Sequence, residues 1–80
     1  MKNKFELFNK LYLDYITYYN MRKGQATFNA VHTIDSETAN ELRGTDLDCF
    51  HDDSKIGAFM KYVHSKWDNW QLNIISVLLL

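Results

Sequence analysis

The sequence predicts an all-α fold, a compact bundle of about four helices with an ordered acidic loop before the last helix. Apolar residues recur at three-and-four spacing in two long stretches, which is the pattern of an amphipathic helix. The chain has no proline and only three glycines, so breaks between helices are expected at glycines and polar clusters. No second convincing strand is present for a sheet to form. A helical bundle follows from these three observations.

The composition is that of one globular domain spanning residues 1–80. Apolar residues make up 46% of the chain and charged residues 24%, as in folded rather than disordered proteins. Eighty residues have room for one hydrophobic core and for no second domain. The lone Cys49 cannot form an internal disulfide, so a reducing cytoplasm is the expected location.

The first two helices are predicted from Phe5 onward. A helix over about residues 3–20 would carry one aromatic stripe. The stripe consists of Phe5, Phe8, Tyr12, Tyr15, Ile16 and Tyr19. Tyr18 and Tyr19 cannot both point fully inward, which leaves one of them for the surface. Residues 25–34 alternate as a strand would but also suit a helical face, and we favour a helix that Gly24 separates from the first.

Capping residues define the third helix. Asp35 or Ser36 is a good N-cap for a short helix over residues 36–43, and Gly44 is expected at its C-terminal end. The buried face would be Ala39 and Leu42.

An acidic loop and a last helix complete the bundle. Residues 44–53 are predicted to form the loop, with Leu47 and Phe50 as inward anchors. Asp53 or Ser54 would cap the last helix, which we expect to pack on the first. Its apolar positions at helical spacing are Ile56, Phe59, Met60, Val63, Trp67 and Trp70.

The apolar tail, residues 70–80, has two open interpretations. It could extend the last helix or lie as a strand across a neighbour, because apolar and polar residues alternate over 70–74. It is too short to span a bilayer as a helix, so no membrane partner is expected. An exposed apolar run of this kind marks an interface, and it is the leading indication of a homo-oligomer.

Charge is divided between two regions of the sequence. Residues 1–24 carry five basic and two acidic side chains, whereas residues 35–53 carry seven acidic and one basic, within a formal net charge of −1. A negative surface is attracted to a positive one, so the second region predicts an acidic surface for a basic groove on a protein partner. Its residues are Asp35, Glu37, Glu41, Asp46, Asp48, Asp52 and Asp53.

Metal and catalytic patterns are weak. A calcium loop that begins at Asp46 would have Phe50 and His51 where it needs an oxygen ligand and glycine. Cys49 and His51, joined by His32 or His64, lack paired zinc-ligand spacing, and no flanking residues indicate an activated thiol. The sequence therefore predicts no metal, no cofactor, no catalytic residues and no enzyme; a small buried cysteine is the expectation for Cys49.

Residues 22–67 carry a motif pattern. It reads Arg22-x-Gly24-Gln25-x-x-Phe28-Asn29, then Ala39-x-x-Leu42-Arg43-Gly44-Thr45-Asp46-x-Asp48-x-Phe50-x-Asp52-Asp53-Ser54-x-Ile56-x-x-Phe59, then Trp67. In this pattern the chain resembles a group of small uncharacterised proteins encoded by phages and prophages. The resemblance implies a helix over residues 25–34 and a phage-type origin, and it supplies no catalytic residues.

These observations predict a small phage-type interaction protein that binds and modulates a host or phage protein, for example an inhibitor of a bacterial defence or transcription complex. The alternative is a nucleic-acid-binding accessory protein that uses its basic first helix. Lys10, Arg22 and Lys23 would then contact phosphates while tyrosines stack on bases. Aromatic residues at helical spacing are more often core, so the interaction protein is preferred.

Overall fold

The computed structural model describes the backbone of residues 3–79 and the side chains of residues 3–68. Over residues 3–79 the chain forms four α-helices, with one 3₁₀ turn at Asp53–Lys55 before the last. They are α1 (Lys4–Tyr19), α2 (Lys23–Ile34), α3 (Ser36–Leu42) and α4 (Ile56–Leu79). No strand occurs among residues 3–79. The predicted all-α bundle of about four helices is confirmed, as is the helix over residues 25–34.

The connection between α1 and α2 depends on Asn20. Asn20 adopts the left-handed conformation with φ 52°, and the N–H groups of Asn20 and Met21 both donate to the carbonyl of Tyr15. A short polar side chain tolerates this conformation better than most, which explains asparagine at the helix end. The prediction that Gly24 forms the break is therefore wrong, because Gly24 lies in the first turn of α2.

Helices α1 and α2 form an antiparallel hairpin. Lys4 at the start of α1 lies 3.9 Å from the Asp35 carboxylate at the end of α2. The hydroxyls of Tyr15 and Thr33 share a hydrogen bond of 2.9 Å. The aromatic stripe of α1 is partly buried from Phe5 to Ile16, and no α1 residue is fully buried.

Tyr19 departs from the predicted stripe. Its side chain is 67% exposed and that of Tyr18 is 78% exposed, so both tyrosines lie at the surface. Tyr19 occupies the last turn of α1, beside the connection, and its ring contacts that of Tyr15 at 5.9 Å. Helical spacing identified the correct face of α1, but α2 does not cover that face to its end.

The core lies between α2, α3, the loop and the first half of α4. Its buried members are Phe28, Val31, Ala39, Leu42, Cys49, Phe59, Val63 and Trp67. The predicted burial of Ala39, Leu42 and Cys49 is confirmed. Leu47 and Phe50 pack against this core as partly buried residues, so the predicted loop anchors are also confirmed.

Helix α4 begins differently from the prediction. The Asp52 carboxylate, rather than Asp53 or Ser54, caps the 3₁₀ turn that leads into α4, by accepting a hydrogen bond from the Ser54 N–H. Asp53 is turned toward α2 instead, where it bonds to Gly24. The sequence could not distinguish these neighbouring aspartates because the contact with Gly24 spans 29 residues.

The packing of α4 gives its direction. α4 runs alongside α2 in the same direction. At the start of both helices Asp53 bonds to Gly24, and in the middle the ring centroids of Phe59 and Phe28 are 5.7 Å apart. At the end of α2, Trp67 bonds to Asp35. Among residues 3–68, the rings of Phe5 and Phe8 contact those of His64 and Trp67, and Lys4 Nζ lies over the Trp67 ring. These contacts, which the sequence predicted between the last helix and the first, involve the first turns of α1.

The tail continues α4 as a helix to Leu79, which decides between the two interpretations of the sequence. The predicted burial of Trp70 and the predicted exposure of the apolar tail lie outside the described residues.

Candidate interaction surface

Asp53 holds the start of α2 against the loop. Its Oδ1 accepts hydrogen bonds from the Gly24 N–H at 2.9 Å and from Arg22 Nη1 at 3.1 Å. Arg22 Nη2 also donates to the Phe50 carbonyl at 2.6 Å. An acidic side chain is stabilising at a helix N-terminus, where N–H groups lack intrahelical partners. Asp53, predicted to bind a partner, is thus engaged at the start of α2, as is Arg22.

Gly24 and Cys49 meet without space for a side chain. A Cβ atom at Gly24 would collide with the Cys49 carbonyl oxygen and lie 2.7 Å from Asp53 Oδ1. The Cys49 thiol donates to the Gly24 carbonyl at 3.4 Å. Burial, followed by the nearby negative charge of Asp48, raises the pKa of Cys49 to about 12. The thiol is therefore protonated at neutral pH and belongs to the packing, in agreement with the sequence.

The acidic loop is ordered by its own carboxylates. Asp48 accepts hydrogen bonds from the Gly44 N–H at 2.7 Å and the Phe50 N–H at 2.9 Å. Gly44 has φ 75°, a conformation that favours glycine. Asp52 accepts from the hydroxyl and N–H of Ser54, and these hydrogen bonds lower the pKa of Asp52. These hydrogen bonds therefore hold the carboxylates of Asp48 and Asp52 in fixed positions.

Asp35 joins three helices. It accepts hydrogen bonds from the Thr38 N–H at 3.2 Å, the Thr38 hydroxyl at 2.6 Å and Trp67 Nε1 at 3.0 Å, with Lys4 3.9 Å away. Burial raises the pKa of Asp35, but the hydrogen bonds from Thr38 and Trp67 outweigh it and the net pKa is lowered. The N-cap predicted at Asp35 or Ser36 is Asp35.

Glu41 links α3 to α4. It accepts a hydrogen bond of 2.6 Å from the Tyr62 hydroxyl, and Lys66 Nζ lies 3.4 Å from the same carboxylate oxygen. The Tyr62 hydrogen bond and then Lys66 lower the pKa of Glu41, while Glu41 raises the pKa of Tyr62 and of Lys66. Glu41 is exposed, so it remains a surface charge as well as a link between helices.

Glu37 and Asp46 differ from the other predicted acidic residues. Both are exposed, and neither side chain bonds to another group among residues 3–68. Glu37 lies four residues before Glu41 on one face of α3, and Asp46 and Asp48 follow in the loop at its end. We call Glu37, Glu41, Asp46 and Asp48 the α3 acidic surface.

The seven predicted acidic residues do not form one cluster. Asp53 lies at the start of α2 and Asp35 at its end, and a helix of 12 residues separates the two by about 18 Å. The structure therefore gives structural roles to the carboxylates at the two ends of α2. What the sequence could not indicate is which charges remain available at the surface.

The basic residues are also partly engaged. Lys10 pairs with Asp14 at 3.1 Å, and Arg22 is held by Asp53 and the Phe50 carbonyl. Lys23 is exposed and forms no ion pair with another residue in the described part of the chain. Tyr18 and Tyr19, which precede Lys23 by five and four residues in the sequence, both have exposed rings, and the sequence predicted one of them at the surface.

Comparison with family models, curated proteins and solved structures gives no match to this chain. Within the described residues, no three His, Cys, Asp or Glu side chains are grouped as a metal ion would require. No helix in that part of the chain has both the length and the hydropathy needed to cross a membrane.

Proposed function

We propose that this chain is a small phage-type interaction protein that binds and modulates a host or phage protein, for example by inhibiting a bacterial defence or transcription complex. The observation that carries the proposal is the α3 acidic surface, on which two of the four carboxylates are held in place by hydrogen bonds. Asp48 is bonded to two backbone N–H groups and Glu41 to Tyr62. Glu37 and Asp46 remain available for a partner.

Rigid charges favour binding for a physical reason. Side chains that are already ordered lose less conformational entropy when a partner binds them. The lowered pKa of Glu41 also keeps its carboxylate ionised at neutral pH. An acidic surface attracts a basic groove from a distance and orients it during binding. A nucleic-acid-binding protein would provide such a groove.

The resemblance to small phage and prophage proteins supports the same proposal. Arg22, Gly24 and Asp53 belong to the shared pattern, and here they join α2 to the loop. Asp48 and Gly44, also in the pattern, close the loop on itself. These residues hold a fold rather than perform chemistry, which supports a binding role over an enzymatic one.

Affinity capture from host cells tests the proposal. The tagged chain is incubated with lysate taken before and after phage infection, with nuclease added to half of each sample. A protein retained in stoichiometric amount with and without nuclease is the expected result. Retention that disappears with nuclease would contradict the proposal and favour a nucleic-acid-binding protein instead.

The second candidate is a nucleic-acid-binding accessory protein, favoured by the exposure of Tyr18, Tyr19 and Lys23, which lie within six residues of one another in the sequence. Exposed aromatic rings next to a cation can stack on bases while the cation contacts a phosphate. Arg22 and Lys10, which the sequence also assigned to this role, would have to exchange the bonds they make within the chain.

Salt dependence tests this candidate. Binding to single-stranded oligonucleotides should weaken steeply with salt, and Lys23→Gln should reduce the slope of log affinity against log salt by about 0.7. Lys61→Gln, an exposed lysine on α4, is the matched control. Equal slopes for the wild type and Lys23→Gln would exclude Lys23 from phosphate contact.

A further inference from the structure

The two arginines of the chain have opposite surroundings. Arg22 donates from Nη1 to Asp53 and from Nη2 to the Phe50 carbonyl, so both of its terminal nitrogens are occupied. Arg43 donates only from Nε, to Asn40 Oδ1 at 3.3 Å. Within the described side chains, neither Nη group of Arg43 has a hydrogen-bond acceptor and no carboxylate forms an ion pair with it. Arg43 is exposed, so these donors are open to a ligand.

The Arg43 guanidinium is nonetheless held in place. Its Cζ lies over the Phe28 ring, 5.0 Å from the centroid, and Phe28 is 2% exposed. A cation over an aromatic face is attracted by the electrons of the ring, and the bond from Nε to Asn40 fixes the guanidinium on a second side. A side chain ordered in this way loses less conformational entropy when a ligand binds it.

Arg43 lies on the opposite side of α3 from Glu41. Two residues separate them in sequence, which corresponds to about 160° around a helix. Glu41 bonds to α4, whereas Arg43 contacts α2 through Phe28. On α2 the half-buried His32 ring stacks on Phe28, with the centroids 6.3 Å apart. We call Arg43, Asn40 and His32 the Arg43 flank; none of the three belongs to the α3 acidic surface.

We propose that Arg43 binds a carboxylate of a protein partner. A planar guanidinium with two N–H groups along one edge matches a carboxylate and binds it through two parallel hydrogen bonds. The Asp48 carboxylate bonds to the N–H of Gly44, next to Arg43, and its negative charge disfavours a doubly charged phosphate more than a singly charged carboxylate. A nucleic acid is a poorer ligand too, because its affinity grows with the number of phosphates neutralised and the Arg43 flank has one arginine and no lysine.

This inference rests on the proposed function only in taking the ligand to be part of a protein. It adds that the partner carries an acidic group as well as a basic groove. Small carboxylates serve as probes, so the inference can fail while the affinity capture succeeds, and the two failures are distinguishable.

The test is a titration of the isotopically labelled full chain, observed through the arginine Nε–H resonances by nuclear magnetic resonance. The amide of N-acetylglutamic acid offers only a side-chain carboxylate, and N-acetylglycine offers only a terminal one. At constant ionic strength, either probe should shift the Arg43 resonance saturably at concentrations that leave the Arg22 resonance unchanged, because the terminal nitrogens of Arg22 are occupied. The probe with the higher affinity identifies the source of the carboxylate.

Arg43→Lys is the matched variant, because it retains the charge and removes the planar edge. Its affinity for the probe, followed through the Asn40 amide, should fall about tenfold. Circular dichroism verifies that the variant is folded, and the comparison of Arg43 with Arg22 in the wild type does not depend on it. Equal shifts of the two arginines, or no shift of Arg43, would overturn the proposal. Tighter binding of inorganic phosphate than of either carboxylate would also overturn it.

Discussion

Gly24 lies where the first turn of α2 meets the loop before α4. Because a Cβ atom there would collide with the Cys49 carbonyl oxygen, the backbone of one segment must move to admit alanine. We expect Gly24→Ala to lower the free energy of unfolding by about 1–3 kcal/mol, the usual cost of overpacking. Urea unfolding followed by tryptophan fluorescence measures this change.

Gly57 provides the control for Gly24→Ala. It lies in the first turn of α4, and a Cβ atom there would meet nothing within 4 Å. Alanine is the better helix former, so Gly57→Ala should be neutral or stabilising by up to about 1 kcal/mol. Equal destabilisation by the two substitutions would show that close approach is not the reason for glycine at Gly24.

Asp35 gives a pH dependence of stability. The folded state lowers its pKa, so the stability it contributes is present above the unfolded pKa and is lost as pH falls through the folded pKa. The window therefore begins near pH 4, where unfolded aspartates titrate, and extends below it. Asp35→Asn should cost about 1–3 kcal/mol at pH 7, because Trp67 Nε1 and Thr38 lose a charged acceptor.

Unfolding of the wild type and of Asp35→Asn at pH 7 and pH 3 tests this dependence. The stability difference between the two proteins should be largest at pH 7 and should shrink at pH 3. A difference that does not change with pH would mean that the Asp35 charge is unimportant for the junction of α2, α3 and α4.

At the level of elements, the turn between α1 and α2 makes its own prediction. A β-branched residue at Asn20 would be forced into the left-handed conformation, at a cost of about 1–2 kcal/mol. Asn20→Val should therefore lower the midpoint of thermal unfolding, while Asn20→Gly should leave it nearly unchanged. If Asn20→Val unfolded at the same temperature as the wild type, the conformation of Asn20 would not be what holds α1 and α2 in the hairpin.

The helices themselves follow from local sequence. Three-and-four spacing predicts α1 and the first half of α4, and an aspartate cap with Gly44 beyond it predicts α3. These signals lie within one or two turns of the chain, so they can be identified without knowledge of the fold. The bond between Asp53 and Gly24 spans 29 residues, and nothing nearby in sequence distinguishes Asp53 from Asp52 as its source.

At the scale of the whole molecule, the sequence predicted that charge is divided between two regions. It did not predict which of the charged side chains are available at the surface for a partner. It assigned seven acidic residues to one surface, whereas Asp35 and Asp53 occupy opposite ends of α2 in structural roles. Tyr19 shows the same limit, since periodicity identifies the face of a helix and not how far a neighbour covers it. Both features depend on tertiary placement, which a linear pattern does not contain.

Removal of the unbonded charges from the α3 acidic surface tests the central claim most directly. The double variant Glu37→Gln, Asp46→Asn should fold as the wild type does and bind the captured protein about tenfold more weakly. The matched control, Glu6→Gln with Asp14→Asn, makes the same change in net charge on α1 and should bind as the wild type does. Equal binding by all three proteins would contradict an acidic interaction surface on α3.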